Sequence, residues 1–483
     1  MMTIQLLLAG EATAAEHEAT FTRTNPLSGE VVTTAAAASA GDAQRAADVA
    51  SQAFDAWSQT GPGERRAKLL KAAELMEARQ GDFIDRMVEE TGATVGWAGF
   101  NVKVAADVLR EAAALTTQIQ GDIIPSNVPD SMAMGVRTPC GVVVGIAPWN
   151  APIILGTRAL ATPLACGNSV ILKASEQCPA THHLIGEVLQ EAGFGDGIVN
   201  VITNAPDNAA EVVSALIAHP AVRRINFTGS TSVGKIIAEQ ASRYLKPVLL
   251  ELGGKAPLLV LEDADIEAAV DAAIFGAFFN QGQICMSTER VVVDHRIADA
   301  FVDKFAARAQ ALKAGNPRDE GNALGTLINA QSGEKLNSLL DDAVSKGARV
   351  AAGGKAEGVV MQATVVDGVT RDMRLYREES FGPVVAVMRV SGDEEAIRIA
   401  NDSEYGLSSA VFSRDSARAM KVASRLQTGI CHINASTVHD EPQMPFGGTK
   451  SSGYGRFGGK AGIEEFTELR WMTMQLGPRH YPI

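Results

Sequence analysis

The sequence has little that would suit an extracellular, metal-binding or nucleic-acid-binding protein. Its 483 residues include only five cysteines. No two of these form a CxxC pair, so neither a disulfide framework nor a thiolate zinc site is expected. The eight histidines are scattered along the chain, and we predict no bound metal. The net charge of -13 argues against a nucleic-acid partner or an anionic membrane surface.

Long apolar runs are also missing. The N-terminus carries only a short apolar run at residues 4–8, with no basic region before it, which is too little for a signal peptide or a membrane span. We therefore expect a cytoplasmic protein with no membrane partner. A hydrophobic fraction of 46% is typical of a globular protein, and the length predicts two or three domains.

From residue 141 onward, apolar runs alternate with helical patterns. Strand-like runs begin at Val142, Ser169, Ile198 and Arg223, between 25 and 29 residues apart. This spacing is close to the ~30 residues of a strand-helix-strand repeat. The pattern predicts a doubly wound parallel sheet of the nucleotide-binding kind. A second α/β unit is expected from about residue 252.

Two further segments predict a small β unit. Residues 121–139 lose helical periodicity and contain three prolines, which is typical of extended strands that project from the main body. The C-terminal strand at 471–476 pairs naturally with such an arm. We expect this unit to join copies of the chain, as a homodimer or a homotetramer.

Distinctive polar residues follow the predicted parallel strands, where ligands of such sheets gather. Asn150 precedes a helix that Pro152 can start, so it is either a helix cap or a ligand contact. Residues 228–234 open a helix that could hold a pyrophosphate, although they depart from GxGxxG. Glu251 follows a buried strand, and by its position alone an ordinary surface glutamate is the better interpretation.

Cys285 lies in the polar, glycine-broken stretch 280–288, between an apolar helical run and a valine-rich strand. A free cysteine is usually a small buried hydrophobe. Its place at a connection favours reactivity instead, because reactive thiols need partial exposure and nearby hydrogen-bond donors.

Six separated motifs together resemble the aldehyde dehydrogenase superfamily. They are PWN at 148–150, FTGSTSVG at 227–234, ELGGK at 251–255, GQICMS at 282–287, EESFGPV at 378–384 and PFGGTKSSG at 445–453. The resemblance covers nearly the whole chain and implies three units of an α/β fold. These are an NAD-binding domain with a doubly wound parallel sheet (1–119 and 140–251), an α/β catalytic domain (252–460) and a small β oligomerisation domain (120–139 and 461–483).

The resemblance also implies catalytic roles. Cys285 would be the nucleophile, Asn150 and the Cys285 backbone N–H would form the oxyanion hole, and Glu251 would be the general base. The residue types suit these roles, since a thiolate can attack an aldehyde, an amide can stabilise the oxyanion and a carboxylate can activate water.

The implied cofactor is NAD. Glu176 would repel a 2′-phosphate, which carries roughly -1.5 to -2 charges, so NAD is favoured over NADP. The cofactor-binding residues expected from the resemblance are Pro148, Trp149, Lys173, Ser175, Glu176, Gly229, Ser230, Val233, Leu252, Gly253, Glu379 and Phe381.

The implied substrate is a small-molecule aldehyde, and the pattern is most similar to members that act on aromatic aldehydes. Salicylaldehyde, oxidised to salicylate, is favoured ahead of vanillin and benzaldehyde. Phe457 stands where many members have a second glutamate, which makes the channel more apolar. Arg158 stands where relatives often have an aromatic, and it either contacts a polar ring substituent or forms a structural ion pair. The expected pocket residues are Leu155, Arg158, Ile284, Met286, Phe446 and Phe457.

Three alternatives remain open at this stage. In an aliphatic semialdehyde dehydrogenase, such as one acting on succinic semialdehyde, Arg158 would bind the substrate carboxylate. A CoA-acylating enzyme would not require Glu251. A non-catalytic structural protein could retain the fold, although Cys285, Glu251 and Asn150 argue against it.

Overall fold

The structure is a computed structural model that describes residues 2–483. Residues 2–139 combine short strands with long helices. The strands are β1 (Met2–Ile4), β2 (Leu6–Leu8), β3 (Glu11–Thr13), β4 (Thr20–Thr24), β5 (Val31–Ala36), β6 (Asp122–Ile124) and β7 (Ser131–Pro139). The helices are α1 (Ala40–Ser58), α2 (Pro62–Ala78), α3 (Gln80–Thr91) and α4 (Val95–Leu115).

Residues 140–294 alternate strands and helices. The strands are β8 (Val142–Ile146), β9 (Ser169–Lys173), β10 (Val199–Ile202), β11 (Val222–Thr228), β12 (Val248–Glu251), β13 (Ala256–Val260) and β14 (Thr288–Asp294). The helices are α5 (Pro152–Ala165), α6 (Pro179–Glu191), α7 (Ala209–Ala218), α8 (Thr231–Ser242) and α9 (Ile266–Phe278).

Residues 295–483 complete a second α/β region and add the C-terminal strand. The helices are α10 (Ala298–Gln310), α11 (Ala330–Ser345), α12 (Arg374–Arg377), α13 (Gly392–Asn401), α14 (Ser416–Ala423) and α15 (Gly459–Glu465). The strands are β15 (Arg349–Ala352), β16 (Thr364–Asp367), β17 (Val384–Val390), β18 (Tyr405–Gly406), β19 (Ala410–Phe412), β20 (His432–Ile433), β21 (Thr449–Lys450), β22 (Gly453–Tyr454) and β23 (Thr467–Gln475).

The first large sheet has the order β22-β12-β11-β8-β9-β10-β2-β3. Strands β8 to β12 pair in parallel, whereas β2, β3 and β22 join antiparallel. Successive residues of β8 enter opposite cores: Val143 packs in the core that includes α4 and α5, while Val144 packs in the one that includes α1 and α7. A strand covered on both faces is apolar throughout, which is why β8 reads as a continuous hydrophobic run. The predicted doubly wound sheet is confirmed.

The second large sheet has the order β15-β16-β17-β14-β13-β19-β20 and is parallel except at β15. Here too, neighbouring residues of β13 face different cores. Since α9 leads into β14 through residues 279–287, the stretch that holds Cys285 lies in the connection between a helix and a central strand of this sheet.

The third sheet joins β6, β7 and β23 in antiparallel order. Strands β7 and β23 pair along their whole length, from Pro139 opposite Thr467 to Ser131 opposite Gln475. The predicted pairing of the arm with the C-terminal strand is therefore present. Two smaller sheets, β1-β5-β4 and β18-β21, complete the strand pairing.

The first and second α/β regions interlock near the C-terminus. Strand β22 lies within the range predicted for the catalytic domain, yet it pairs with β12 of the first sheet. The predicted domain boundaries stay a prediction. In the region described, residues 2–483, no helix combines the length and apolar character needed to cross a membrane.

Candidate active site

The loop that carries Cys285 has an unusual backbone. Asn280, Gln281 and Gly282 are consecutive residues with φ of 48°, 54° and 67°. A Cβ at Gly282 would lie 2.2 Å from the carbonyl oxygen of Gly382, so this close approach requires glycine. The loop therefore presses against residues 378–383 and leaves Cys285 half-buried at its end.

Asn150, which follows β8 of the first large sheet, is hydrogen-bonded to the same loop. Its Nδ2 donates to the carbonyl oxygen of Gln283 at 3.0 Å. Its own carbonyl oxygen accepts from Asn280 Nδ2 and from Trp97 Nε1, both at 3.0 Å. Helix α5 has Ala151 at its N-cap and no side-chain cap, so the helix-cap interpretation of Asn150 is wrong. An amide nitrogen has two hydrogens, and the second is free of the Gln283 bond and can be offered to a ligand.

Glu251 closes β12 and is only 3% exposed. Neither of its carboxylate oxygens makes a hydrogen bond of normal geometry within the described chain, although the Gly448 N–H lies close enough to lower its pKa. Burial raises the pKa of Glu251 to about 8, against the opposing effect of the Arg158 and Arg456 charges. The surface interpretation of Glu251 is therefore wrong. A buried carboxyl with a pKa near neutrality suits a general base.

The surroundings of Cys285 favour the protonated form of its thiol. Burial raises the pKa of Cys285 well above its ordinary value, and the charges of Glu251 and Glu379 add to the effect. Attack on a carbonyl carbon therefore requires that the thiol transfer its proton as it attacks.

A cavity of about 270 Å³ brings these side chains together. The ends of β8, β11 and β12 meet at this edge because the three strands are parallel and adjacent. The lining residues are Pro148, Trp149, Asn150, Leu155, Thr228, Gly229, Ser230, Glu251, Leu252, Gly253, Cys285, Lys335, Glu379 and Phe381. All three predicted catalytic residues lie on it, with eight of the twelve predicted cofactor residues.

The lining fits a dinucleotide. Ser230 caps α8, and the free N–H groups of that helix start suit a phosphate. A Cβ on Gly229 would lie 2.4 Å from the ring of Phe227, so this close approach requires glycine. Glu379 Oε1 accepts from the Gly254 N–H at 2.8 Å, which fixes a carboxylate acceptor for ribose hydroxyls. Phe381 and Trp149 pack edge to face with ring centroids 5.7 Å apart.

Four predicted cofactor residues lie outside the cavity lining. Lys173, at the end of β9, approaches Glu176 with 3.3 Å between Nζ and Oε2. Ser175 Oγ accepts from the Gln177 N–H at 3.2 Å. Val233 is 43% exposed on α8. Lys173, Ser175 and Glu176 follow the strand next to β8, so they lie beyond one end of the cavity.

Of the six predicted pocket residues, only Leu155 lines the cavity. Arg158 is buried and its Nη2 lies 2.6 Å from Asp440 Oδ2. Its guanidinium also lies over the Phe446 ring, 4.8 Å from the centroid. The ion-pair interpretation of Arg158 therefore describes its geometry.

The other four predicted pocket residues are in the core behind the cavity. Phe446 and Phe457 exchange two backbone hydrogen bonds of 3.0 Å, and Phe457 packs against Phe466. Ile284 and Met286 flank Cys285 and are each 5% exposed. Phe457 is only 2% exposed and belongs to the hydrophobic core, so it is not an open channel wall.

Sequence reasoning missed several residues at or beside the cavity. Lys335 lines it and donates from Nζ to the Glu379 carbonyl oxygen at 2.8 Å. Asp440 pairs with Arg158, and Thr228 forms part of the wall. Lys335 lies on the exposed side of α11 and Asp440 in a loop, so neither has a local pattern that marks it.

The sequence profile described as "Aldehyde dehydrogenase family" matches residues 13–472. The chain belongs to the aldehyde dehydrogenase family. It is therefore an oxidoreductase that acts on aldehydes, and the family resemblance of the six motifs is confirmed.

Among curated relatives, vanillin dehydrogenase of Pseudomonas fluorescens is 62% identical over 483 residues, which is 100% of both chains. Salicylaldehyde dehydrogenase of Pseudomonas putida is 52% identical over 464 residues, 96% of both chains. The crystal structure of a salicylaldehyde dehydrogenase from Pseudomonas putida G7, complexed with salicylaldehyde, matches with a TM-score of 0.99 at 50% identity and covers 100% of both chains. The fold is thus that of known aldehyde dehydrogenases.

Proposed function

We propose that this enzyme oxidises aromatic aldehydes to carboxylic acids with NAD. The observation that carries the proposal is the convergence of Cys285, Asn150 and Glu251 on one cavity, whose lining also includes Gly229 and Ser230 at the start of α8. The substrate class is supported by the relatives named for vanillin and salicylaldehyde, which match the chain over nearly its full length. Salicylaldehyde and vanillin are the two substrates we favour.

In the first chemical step, the Cys285 sulfur bonds to the aldehyde carbon as the thiol releases its proton to solvent. The carbonyl oxygen becomes an oxyanion, which Asn150 Nδ2 and the Cys285 backbone N–H stabilise by hydrogen bonds. One such donor contributes about 2.7–4 kcal/mol in the transition state. The resulting thiohemiacetal loses its hydride and becomes a thioester on Cys285.

NAD, when bound, supplies the acceptor for that hydride. Glu251 then takes a proton from a water molecule, whose oxygen attacks the thioester carbon and breaks its bond to sulfur. The carboxylic acid leaves, and Glu251 returns the proton to the Cys285 sulfur, which restores the thiol and the carboxylate. A buried base whose oxygens make no hydrogen bond of normal geometry can hold that water close to the thioester.

Our preference for NAD over NADP rests on Glu176, which we place near the adenine ribose. The Glu176 carboxylate would repel a 2′-phosphate. Lys173 Nζ lies 3.3 Å from Glu176 Oε2, so the carboxylate partly balances the lysine charge that could otherwise attract the phosphate. A comparison of kcat/KM for NAD and NADP tests this choice, and Glu176→Gln should narrow the difference.

The aliphatic semialdehyde alternative is weakened by the geometry of Arg158. Its positive charge is already paired with Asp440, so a substrate carboxylate would have to compete with a partly buried aspartate. We therefore expect succinic semialdehyde to be a poor substrate.

The decisive experiment follows NADH absorbance on mixing the protein, NAD and a panel of salicylaldehyde, vanillin, benzaldehyde and succinic semialdehyde. The ring aldehydes should be oxidised with higher kcat/KM than the semialdehyde, and Cys285→Ala should abolish turnover. Equal NAD reduction by the alanine variant would overturn the mechanism, and a preference for succinic semialdehyde would overturn the substrate class.

A further inference from the structure

A buried ionic cluster lies directly behind the cavity. Glu289, the second residue of β14, is only 4% exposed, and its Oε2 lies 2.6 Å from Lys255 Nζ. Both side chains are almost completely removed from solvent. Burying two charges is costly, so such a pair needs further hydrogen bonds to satisfy its remaining oxygen lone pairs.

Those additional bonds all come from one short stretch of the loop at 378–383. Glu289 Oε1 accepts from the Ser380 and Phe381 backbone N–H groups, both at 3.0 Å. Its Oε2 accepts from the Ser380 N–H at 3.2 Å and from Ser380 Oγ at 2.7 Å. One carboxylate thus holds two consecutive peptide groups and a hydroxyl.

The loop at 378–383 contains a strained backbone conformation that needs support from its surroundings. Phe381 has φ of 52°, in the left-handed region that a bulky residue disfavours. The bond from its N–H to Glu289 fixes this conformation. Its ring consequently faces Trp149 across the cavity wall, and the preceding Glu379 side chain reaches the Gly254 N–H.

Two links therefore tie the 378–383 loop to the segment after β12. One is direct, from Gly254 N–H to Glu379, and the other runs from Lys255 through Glu289 to Ser380. Glu289 itself does not line the cavity. Of the residues that it contacts, Phe381 lines the cavity, and Ser380 lies between Phe381 and Glu379, which lines it too.

We infer that Glu289 is a positioning residue for the cofactor, acting by holding Glu379 and Phe381 in the geometry that receives the nicotinamide half of NAD. This inference rests on the proposed function. Glu289 lies outside the cavity, yet we expect it to affect NAD affinity selectively. Weakening its bonds to Lys255 and Ser380 should lower the affinity for NAD more than it changes KM for the aldehyde.

The test compares wild type with Glu289→Gln, which keeps the shape and removes the charge. NAD affinity is measured directly by isothermal titration calorimetry, and KM for NAD, KM for vanillin and kcat are measured separately. Loss of hydrogen bonds to a charged group should raise Kd and KM for NAD by about tenfold. KM for vanillin should stay near its wild-type value.

Asp294→Asn provides a matched control at the other end of the same strand. Asp294 is also buried, at 2% exposure, and its carboxylate accepts from the Arg296 side chain and from the Gly392 N–H. It lies away from the cavity, so its loss should lower thermal stability without raising Kd for NAD. If Glu289→Gln and Asp294→Asn raised Kd for NAD equally, Glu289 would have only a general structural role and the inference would be wrong.

Ser380→Ala keeps the test decisive if Glu289→Gln folds poorly. This variant removes the hydroxyl that donates to Oε2 at 2.7 Å and also lies 3.3 Å from the Val384 carbonyl oxygen, while both backbone bonds to Glu289 stay. It should raise Kd for NAD by a smaller factor in the same direction. If both variants bind NAD as wild type does, the inference fails while the proposed function stands. If wild type itself neither binds nor reduces NAD, the proposed function fails.

Discussion

At the scale of single residues, we expect the environment of Glu251 to set the pH dependence of turnover. Burial raises its pKa to about 8, so the carboxyl is largely protonated below that pH and cannot accept a proton from water. We expect kcat at saturating substrates to rise with pH through about 8. The measurement is a pH profile of kcat for wild type beside Glu251→Gln, whose profile should lack this rise.

The Glu251→Gln variant should also slow thioester hydrolysis, by about 10²–10⁴-fold if Glu251 is the general base. Acylation should survive better than turnover, and rapid mixing should show a burst of NADH followed by a slow phase. Loss of the burst itself would instead assign Glu251 to removing the Cys285 proton.

Arg158 provides a second prediction at this scale. Its guanidinium is fixed by Asp440 and by the Phe446 ring, and we propose that its remaining donors meet a polar ring substituent. Arg158→Ala should lower kcat/KM for salicylaldehyde and vanillin by about tenfold while changing benzaldehyde little, since only the first two lose a charged hydrogen bond.

Asp440→Asn is the control for Arg158, because it breaks the same ion pair but leaves the guanidinium in place. It should reduce thermal stability while retaining more of the preference for substituted rings. An unchanged ratio of salicylaldehyde to benzaldehyde in Arg158→Ala would leave Arg158 as a purely structural residue.

At the scale of elements, local sequence patterns predicted the fold but not which side chains contact each other. The apolar runs of β8 and β9 marked the parallel sheet because both of its faces are covered. The glycine-broken loop marked Cys285 as a residue at a connection. Contacts between residues far apart in sequence have no local pattern that predicts them. Arg158 and Asp440 are 282 residues apart, and Glu289 and Ser380 are 91 residues apart.

The same limit explains the interpretation of Phe457. Its position in the family pattern suggested a channel wall, whereas its actual neighbours are Phe466 and Phe446, which pack it into the core. A motif predicts which residues lie near a site, because motifs follow the ends of strands. Which side chain reaches the cavity depends on the packing behind it, and that packing comes from distant parts of the chain.

At the scale of the whole molecule, the third sheet offers a surface that a single chain leaves bare. Strand β23 is nine residues long and forms an edge of that sheet. Trp471 is 81% exposed and Leu469 61%, and Ile123 on the opposite edge strand is 78% exposed. Long edge strands with exposed apolar side chains are templates for association.

We therefore expect Trp471→Glu to weaken the association of copies by about 2 kcal/mol or more, the size typical of an aromatic residue central to an interface. Sedimentation velocity across a concentration series would show a smaller species for this variant than for wild type. Trp471→Phe retains an aromatic ring and should sediment close to wild type. Trp471 lies on the third sheet and not on the cavity. A Trp471→Glu variant that no longer assembles but keeps its NAD affinity would therefore show that the association surface and the cavity are separate. Identical sedimentation of Trp471→Glu and wild type would exclude this strand from the interface.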